Sequence, residues 1–216
     1  MNLPNFALDR RSLLAGLGAA SVAGRAAVPP GGGDRFVRRD GPRFTRKGRP
    51  YRYAGANAWY LAWLGSDTKY GDRARLAREL DALEAIGVGN VRLLAGAEES
   101  TVRNSIKPGF EVQDGTLNTA LLGGLDLAMA ELGKRGMTAV LYLTNFWEWS
   151  GGMMSRLYWE TGKLKNMNDP ADPWPAFPDA GSAFYANEPA VKRFFGYVRM
   201  LVTRTNSVTG LAYRDD

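Results

Sequence analysis

The sequence predicts an α/β fold built from consecutive strand–helix units and preceded by a β-hairpin. Three observations lead to this prediction. Apolar runs of strand length alternate with segments whose apolar residues have helical spacing. The connections after strands are long, whereas those after helices are short. An arginine-rich segment with glycine-containing turns comes before the first unit and has the pattern of an antiparallel hairpin.

The predicted hairpin lies between Arg35 and Tyr53, where arginines alternate with aromatic residues and turns fall at Asp40-Gly41 and Lys47-Gly48. The chain has 28 Lys and Arg residues against 22 Asp and Glu, which gives a formal net charge of +6. This excess could indicate nucleic-acid binding. Because no recognition motif accompanies it, a solvated hairpin face is favoured over a phosphate-binding patch.

The first strand–helix unit begins with a predicted interior strand at Tyr51–Asn57, which leads into an aromatic loop that contains Trp59. Asp72 is positioned to cap the following helix, and Gly87 to end it. A short apolar strand at Asn90–Ala95 follows immediately. A strand, a helix and a strand joined by short turns make one βα unit.

The cycle then repeats. A long loop at 96–118 leads to a helix that closes at Lys134-Arg135-Gly136, and the strand Thr138–Leu143 follows. A second long loop at 146–182 precedes a third helix, whose apolar residues lie between Val191 and Val202. Loops at the carboxyl ends of strands bind ligands in βα-barrels and also in open doubly wound sheets, so this pattern does not select one fold. No glycine-rich nucleotide-binding loop follows any of the three strands.

Polar and aromatic side chains at the predicted strand ends are candidates for function: Asn57, Trp59, Arg92, Asn145 and Trp147. An indole ring can stack on the apolar face of a pyranose and still offers one hydrogen-bond donor. These aromatics could instead fill the core. That alternative is credible for any one of them but less so for the set, because the six Trp residues fall mainly at strand ends and in long loops.

Two of these side chains carry a structural expectation. Side chains alternate along an extended segment, so one of Trp147 and Trp149 is expected to face the cleft while the other packs beneath the loop. Arg92 lies in an apolar strand, where an unpaired charge is costly to bury. It is therefore expected either to form a structural ion pair or to orient a carboxylate in a site.

The residue types limit the chemistry. The chain has no cysteine and no histidine, which excludes disulfides, thiolate catalysis and zinc–thiolate sites and removes the commonest general base. Acid–base chemistry must therefore come from carboxylates, Lys or Tyr.

The first 33 residues have the order of a twin-arginine export signal followed by a linker. Asp9-Arg10-Arg11-Ser12 precedes an apolar run that ends at Gly24, short side chains suited to cleavage follow, and Pro29–Gly33 closes the segment. A permanent membrane anchor is the weaker interpretation, because spanning a bilayer needs roughly 20 apolar residues. A further alternative is a disordered tail in which two arginines are adjacent by chance. The signal predicts a secreted or periplasmic protein.

Five blocks of the sequence resemble consecutive parts of glycoside hydrolase family 5, specifically its endo-β-1,4-mannanases. The blocks are YAGANAWY at 53–60, GVGNVRLLA at 87–95, GGLDLAMAELGKRG at 123–136, LTNFWEWSGG at 143–152 and RTNSVTGLAYRDD at 204–216. The resemblance extends over nearly all of the chain from Phe36 onward. It implies a (β/α)8 TIM barrel, of which 34–216 would be the amino-terminal part with about three βα units, and hydrolysis of β-mannosidic bonds with retention.

The resemblance also implies roles for individual residues and for partners. Arg92 would support the catalytic nucleophile, and Trp147 would contact sugar. With the strand-end argument, the expected substrate-binding residues are Trp147, Asn145, Trp59 and Trp149. The implied partner is a β-mannan polysaccharide or manno-oligosaccharide, bound by a monomer with no metal, cofactor, nucleic acid or remaining membrane anchor.

The two catalytic glutamates of that family are not expected within this chain. The family carries its acid/base in an Asn-Glu-Pro after the fourth strand, but Asn187-Glu188-Pro189 follows no apolar strand and is predicted to start a helix. Nothing in the spacing of Glu98, Glu99 and Glu148 indicates a facing pair of the kind that retaining glycosidases need.

Both glutamates are therefore expected beyond Asp216, in a truncated or incompletely recorded enzyme that is inactive alone and poorly folded at its open sheet edge. Two alternatives remain. The chain could be a secreted carbohydrate-binding protein without catalysis, or a basic protein that binds polyanions through the arginine-rich hairpin.

Overall fold

A computed structural model gives the structure of residues 35–167 and 169–215. The predicted export signal and linker, residues 1–33, lie outside the described residues. Within the described part of the chain, no helix combines the length and the apolar character needed to cross a membrane.

The described residues contain strands β1 to β8 and helices α1 to α6. The strands are Arg38–Asp40, Arg43–Arg46, Arg49–Pro50, Ala54–Asn57, Val88–Leu94, Glu98–Glu99, Glu111–Val112 and Thr138–Tyr142. The helices are Leu61–Gly65, Arg73–Ala85, Thr119–Lys134, Gly152–Thr161, Ala176–Ser182 and Glu188–Thr203, with short 3₁₀ turns at Glu148–Ser150 and Ala183–Ala186.

The arginine-rich segment forms a three-stranded antiparallel sheet in the order β1-β2-β3, so the predicted hairpin is confirmed with one further short strand. The turn between β2 and β3 has positive φ at both Lys47 and Gly48, as a two-residue hairpin turn requires. Most side chains of these strands are exposed, in agreement with a solvated face.

The main sheet is parallel and has the order β4-β5-β8. Its register places Asn57 beside Arg92, and Arg92 beside Val140. The prediction of a strand at Tyr51–Asn57 was too long: β4 begins at Ala54, because the backbone N–H of Tyr51 bonds to Phe44 in the hairpin sheet. β4 is also mostly exposed and lies at the edge of the sheet.

Helices pack against one face of this sheet, and the opposite face is open around Arg92 and Val140. Val91 and Leu93 of β5 are fully buried in the main core, together with Leu80 of α2 and Leu125 of α3. On the opposite face Arg92 is exposed and Val140 is 44% exposed. The covered face supplies the packing energy, and the opposite face presents Asn57 of β4 and Arg92 of β5 to solvent.

The predicted helix starts are confirmed. Asp72, Asn118 and Asn187 cap α2, α3 and α6, each accepting a hydrogen bond from the backbone N–H three residues later. Asn187-Glu188-Pro189 is thus the first turn of a helix, as predicted. The long connection at 146–182 was predicted as a loop, but it contains α4 and α5, whose buried Met154 and Phe177 form a second, small core.

Two glycines let α1 and α3 approach at backbone distance. A Cβ added to Gly124 would lie 2.0 Å from the carbonyl oxygen of Ala62, and one added to Gly65 would lie 2.4 Å from that of Gly124. The adjacent Gly123 has nothing within 4 Å of its added Cβ. Of the two neighbouring glycines in α3, only Gly124 is required by packing.

The substitution Gly124→Ala is expected to lower the free energy of unfolding by about 1–3 kcal/mol, because two helix backbones must separate to admit the methyl group. Gly123→Ala is the matched control and should raise the stability by about 0.5–1 kcal/mol, since alanine is the better helix former. Urea unfolding followed by far-UV circular dichroism measures both. Equal effects of the two substitutions would show that the close approach of α1 and α3 does not contribute to stability.

A buried carboxylate in α3 holds the last part of the described chain. Asp126 is fully buried and accepts hydrogen bonds from Arg204, the Ser207 backbone and hydroxyl, and the Tyr213 hydroxyl, at 2.6–3.1 Å. Burial by itself would raise the pKa of Asp126, but the hydrogen bonds from Arg204, Ser207 and Tyr213 outweigh it and hold the pKa below its ordinary value.

Because the folded-state pKa of Asp126 is lowered, its contribution to stability is complete above the unfolded-state pKa of about 3.9 and is lost as the pH falls through the folded-state pKa. At neutral pH, Asp126→Asn should cost about 3–5 kcal/mol, the usual effect of removing one partner from a buried ion pair. Urea titrations at neutral and acid pH measure this contribution.

Asp81→Asn is the control, because Asp81 is mostly exposed and pairs with Arg135 at the surface. The stability difference between wild type and Asp126→Asn should shrink on acidification, whereas that for Asp81→Asn should be small throughout. A difference for Asp126→Asn that is independent of pH would contradict this account.

Candidate functional site

The strand-end side chains predicted from the sequence lie at the carboxyl edge of the parallel sheet. Asn57 ends β4, Arg92 lies near the end of β5, and the segment after β8 carries Asn145 and Trp147. The structure thus brings together, at one end of one sheet, residues from three separate segments of the chain.

Arg92 is held on the open face of the sheet by an amide and an aromatic ring. Its Nη1 donates a 3.1 Å hydrogen bond to Asn57 Oδ1, and the guanidinium lies 3.5 Å from the centre of the Tyr142 ring. Within residues 35–167 and 169–215, no carboxylate lies within 4.0 Å of Arg92. Arg92 is therefore neither buried nor part of a structural ion pair there, and its support of a nucleophile stays a prediction.

Trp59 and Trp149 belong to an aromatic cluster that packs against the main core. Trp59 makes edge contacts with Tyr60, Trp63 and Trp149 at centroid distances of 5.5–5.8 Å. Trp149 also contacts Tyr142. Both Trp residues are partly buried, and Trp59 lines a cavity of about 430 Å³. For these two residues, packing and ligand contact are compatible roles.

Trp147 points to the surface instead. Its indole is 41% exposed and lies parallel to the buried ring of Phe177, at 6.3 Å and 11°. Trp147 is the more accessible ring of the two, and Trp149 lies in a 3₁₀ turn and packs against Trp59 and Tyr142. Which of the two faces the cleft stays a prediction. Contact of Trp147 with a sugar stays a prediction.

The loop that carries Trp147 turns sharply at two glycines. Gly151 and Gly152 both have positive φ, and a Cβ on Gly152 would lie 2.4 Å from the carbonyl oxygen of Asn145. That carbonyl accepts a 2.8 Å hydrogen bond from Met153 N–H. The backbone of Asn145 is therefore fixed by the start of α4, and the glycines permit this return.

A buried ion pair ties this loop to the one after β5. Glu98 is fully buried and accepts hydrogen bonds from Arg156 Nε at 2.7 Å, Gly152 N–H at 2.8 Å and the Thr144 hydroxyl at 3.2 Å. Burial raises the pKa of Glu98, although Arg156 and the Gly152 N–H oppose this shift. We call the group formed by Glu98, Arg156, Gly152 and Thr144 the Glu98 clamp. Sequence reasoning missed the clamp, because a contact between residues 58 positions apart leaves no local spacing.

Glu111 and Arg193 extend the clamp. Arg193 Nε donates to Glu111 Oε1 at 3.0 Å, and Arg156 Nη1 lies 3.0 Å from Glu111 Oε2. This second contact is an ion pair without hydrogen-bond geometry, since both atoms lack a hydrogen-bond partner in the described part of the chain. The charges of two carboxylates and two guanidinium groups thus compensate one another in the interior.

The carboxylates considered from the sequence do not form an open pair. Glu98 is buried in the clamp, Glu99 accepts a 2.8 Å hydrogen bond from Gly109 N–H, and Glu148 is buried. Among the described residues, no group of three or more acidic side chains is placed to hold a metal ion.

The parallel βα sheet and the aromatic, amide and guanidinium side chains at its carboxyl edge define a protein of the (β/α)8-barrel class, with part of the barrel elements present. Within that class the chain belongs to glycoside hydrolase family 5. The family model described as "GH family 5 beta-mannosidase-like" matches residues 34–216.

Individual relatives agree with this membership. A glycoside hydrolase family 5 mannosidase from Rhizomucor miehei is 32% identical and superposes with a TM-score of 0.78, over 85% of this chain and 46% of that one. The mannan endo-1,4-beta-mannosidase 1 of Oryza sativa subsp. japonica is 28% identical over 86% of this chain and 39% of its own length. An endo-1,4-beta-mannanase from Rhizomucor miehei, at 23% identity and a TM-score of 0.65, supports the fold alone. The chain spans less than half the length of these relatives.

The clamp predicts a local effect of Glu98→Gln. Loss of the charge-assisted contact should raise amide hydrogen exchange in the segment 145–153 by at least about tenfold, since such a hydrogen bond contributes about 1.5–3 kcal/mol. Exchange measured by mass spectrometry resolves this segment.

Asp126→Asn is the control for the same experiment, because it removes another buried carboxylate that holds residues 204–213 instead. That variant should raise exchange most strongly in 204–213, whereas Glu98→Gln should raise it most strongly in 145–153. If 145–153 exchanges at the wild-type rate in Glu98→Gln, the clamp does not hold the loop.

Proposed function

We propose that this chain is part of a retaining glycosidase that hydrolyses internal β-1,4-mannosidic bonds in mannan-type polysaccharides. Membership of glycoside hydrolase family 5 and the mannan-directed names of its relatives support the reaction class. The observation that carries the proposal for this chain is the exposed indole of Trp147, held on a fixed loop beside the strand ends. A pyranose ring can stack on such a surface while neighbouring polar groups bond its hydroxyls.

In this proposal the described residues bind and orient rather than react. Asn145, Trp59 and Trp149 surround the strand ends with Trp147. Arg92 faces the open side of the sheet, where its remaining guanidinium donors could hold a nucleophilic carboxylate ionised through charge-assisted hydrogen bonds. Asn57 and the Tyr142 ring would fix the orientation of that guanidinium.

Retaining hydrolysis needs two carboxyl groups about 5–5.5 Å apart, one as nucleophile and one as acid/base. Glu98, Glu99 and Glu148 are buried or engaged by the backbone, so none of them is suited to either role. We therefore propose that the 216-residue chain does not hydrolyse mannan by itself. The same observation favours a second candidate function, carbohydrate binding without catalysis.

We also propose export through the twin-arginine-type segment at Asp9–Leu14, and a monomeric state. The basic, mostly exposed strands β1 to β3 are assigned to no ligand in this proposal.

Purified protein is expected to release no reducing ends from mannan but to bind manno-oligosaccharides. Trp147→Ala should weaken that binding by about tenfold, because aromatic stacking contributes roughly 0.5–1.5 kcal/mol beyond area burial. Reducing-end assays and isothermal titration calorimetry test the two statements.

Phe195→Ala is the matched control, because Phe195 is an exposed aromatic residue on α6. It should bind as wild type does. Hydrolysis by the pure chain would overturn the proposed inactivity. Salt-sensitive binding to polyanions with no affinity for oligosaccharides would favour the basic-protein alternative instead.

A further inference from the structure

The cavity of about 430 Å³ that Trp59 lines has the size of a small-molecule site, for which roughly 300–1,000 Å³ is usual. It is formed by the start of α1, the start of α2 and the long connection after β5. Among the described residues that line it there is no carboxylate. Four aromatic rings and two cationic side chains dominate the lining: Trp59, Tyr60, Trp63, Tyr70, Arg75 and Lys107.

Three of these rings are held in place by their neighbours. Trp63 Nε1 donates a 3.1 Å hydrogen bond to the Pro108 carbonyl, and the Tyr60 hydroxyl donates one of 2.7 Å to Glu79 Oε2. Trp59 makes edge contacts with both Tyr60 and Trp63 at 5.5–5.8 Å. Because the polar atoms of Tyr60 and Trp63 already have partners, these two rings offer a ligand apolar surface.

The two cationic side chains of the cavity differ in their partners. Arg75 Nε donates a 2.6 Å hydrogen bond to Glu79 Oε1, so the charge of Arg75 is compensated. Lys107 is exposed, and in the part of the chain that the structure describes no carboxylate lies within 4.0 Å of its ammonium group. The cavity therefore combines an aromatic surface with one uncompensated positive charge.

Charge decides which ligand an aromatic cavity of this kind prefers. Cages of aromatic rings can bind quaternary ammonium ions through the negative faces of the rings. Here the guanidinium of Arg75 already lies 5.6 Å from the centre of the Tyr60 ring, and Lys107 adds a further positive charge. A cationic ligand would be repelled by these groups, whereas a carboxylate would be attracted.

We propose that this cavity binds a small aromatic monocarboxylate, with its ring against Trp59 and Trp63 and its carboxylate at Lys107. This binding site goes beyond the proposed function and does not depend on it. Trp59 also contacts Trp149 in the segment after β8, so the ligand would touch the aromatic cluster that packs beside the strand ends.

The test compares three ligands that share a phenyl ring and differ in charge: phenylacetate, phenylacetamide and benzyltrimethylammonium. Ligand-observed NMR titration of the whole chain measures the three dissociation constants. Phenylacetate should bind at least about threefold more tightly than phenylacetamide, the effect expected of one exposed ion pair. Benzyltrimethylammonium should bind most weakly.

Substitutions locate the site. Lys107→Ala should weaken phenylacetate binding by about two- to fivefold and leave phenylacetamide binding unchanged. Lys107→Arg should restore most of the loss, because it keeps the charge. Tyr70→Ala should weaken the binding of both ligands by similar factors, since Tyr70 is a 45% exposed ring of the lining that contacts them through apolar surface.

Lys163→Ala is the control for loss of an exposed lysine, because Lys163 does not line the cavity. It should bind all three ligands as wild type does. A preference for benzyltrimethylammonium, equal affinities for phenylacetate and phenylacetamide, or no binding of any of the three would overturn the proposal. Equal effects of Lys107→Ala and Lys163→Ala on phenylacetate binding would overturn it as well.

Discussion

The buried contact between Glu98 and Arg156 is the interaction on which the candidate site depends. Glu98 begins the short strand β6, which follows β5, Arg156 lies in α4, and the carboxylate also accepts a hydrogen bond from the N–H of Gly152. One fully buried ion pair thus fixes the loop after β5 to the loop after β8. Removing either partner would leave an uncompensated charge in the interior, which costs about 3–5 kcal/mol, so the geometry of the loop and the integrity of the interior are linked.

The chain buries a second carboxylate, Asp126, and the comparison shows what sets the state of each. Asp126 accepts hydrogen bonds from a guanidinium, a backbone N–H and two hydroxyls, and its pKa is lowered. Glu98 has fewer hydrogen-bond donors and also faces the charge of Glu111, and burial raises its pKa. Burial opposes ionisation at both sites; the hydrogen bonds outweigh it at Asp126 but not at Glu98.

Local patterns predicted the strands β5 and β8 and the helices α2, α3 and α6, but not the elements within the long loops or the long-range contacts. The caps Asp72 and Asn187 and the strand–helix order follow from side-chain chemistry and apolar periodicity that act within a few residues. The strand-end candidates could be predicted for the same reason. The Glu98 clamp, the α1–α3 contact at Gly124 and the helices within 146–182 depend on partners distant in sequence, which no local spacing reveals.

The exposure of Arg92 has a physical reason that bears on function. Helices cover only one face of the sheet, so a guanidinium on the other face keeps its hydration and needs no ion pair. Its contacts with Asn57 and Tyr142 fix its direction but neutralise no charge. A guanidinium has five N–H donors, so most of its capacity remains for a carboxylate or a ligand at the strand ends. A guanidinium held in one direction can keep a carboxylate ionised through charge-assisted hydrogen bonds, which is the role proposed for Arg92.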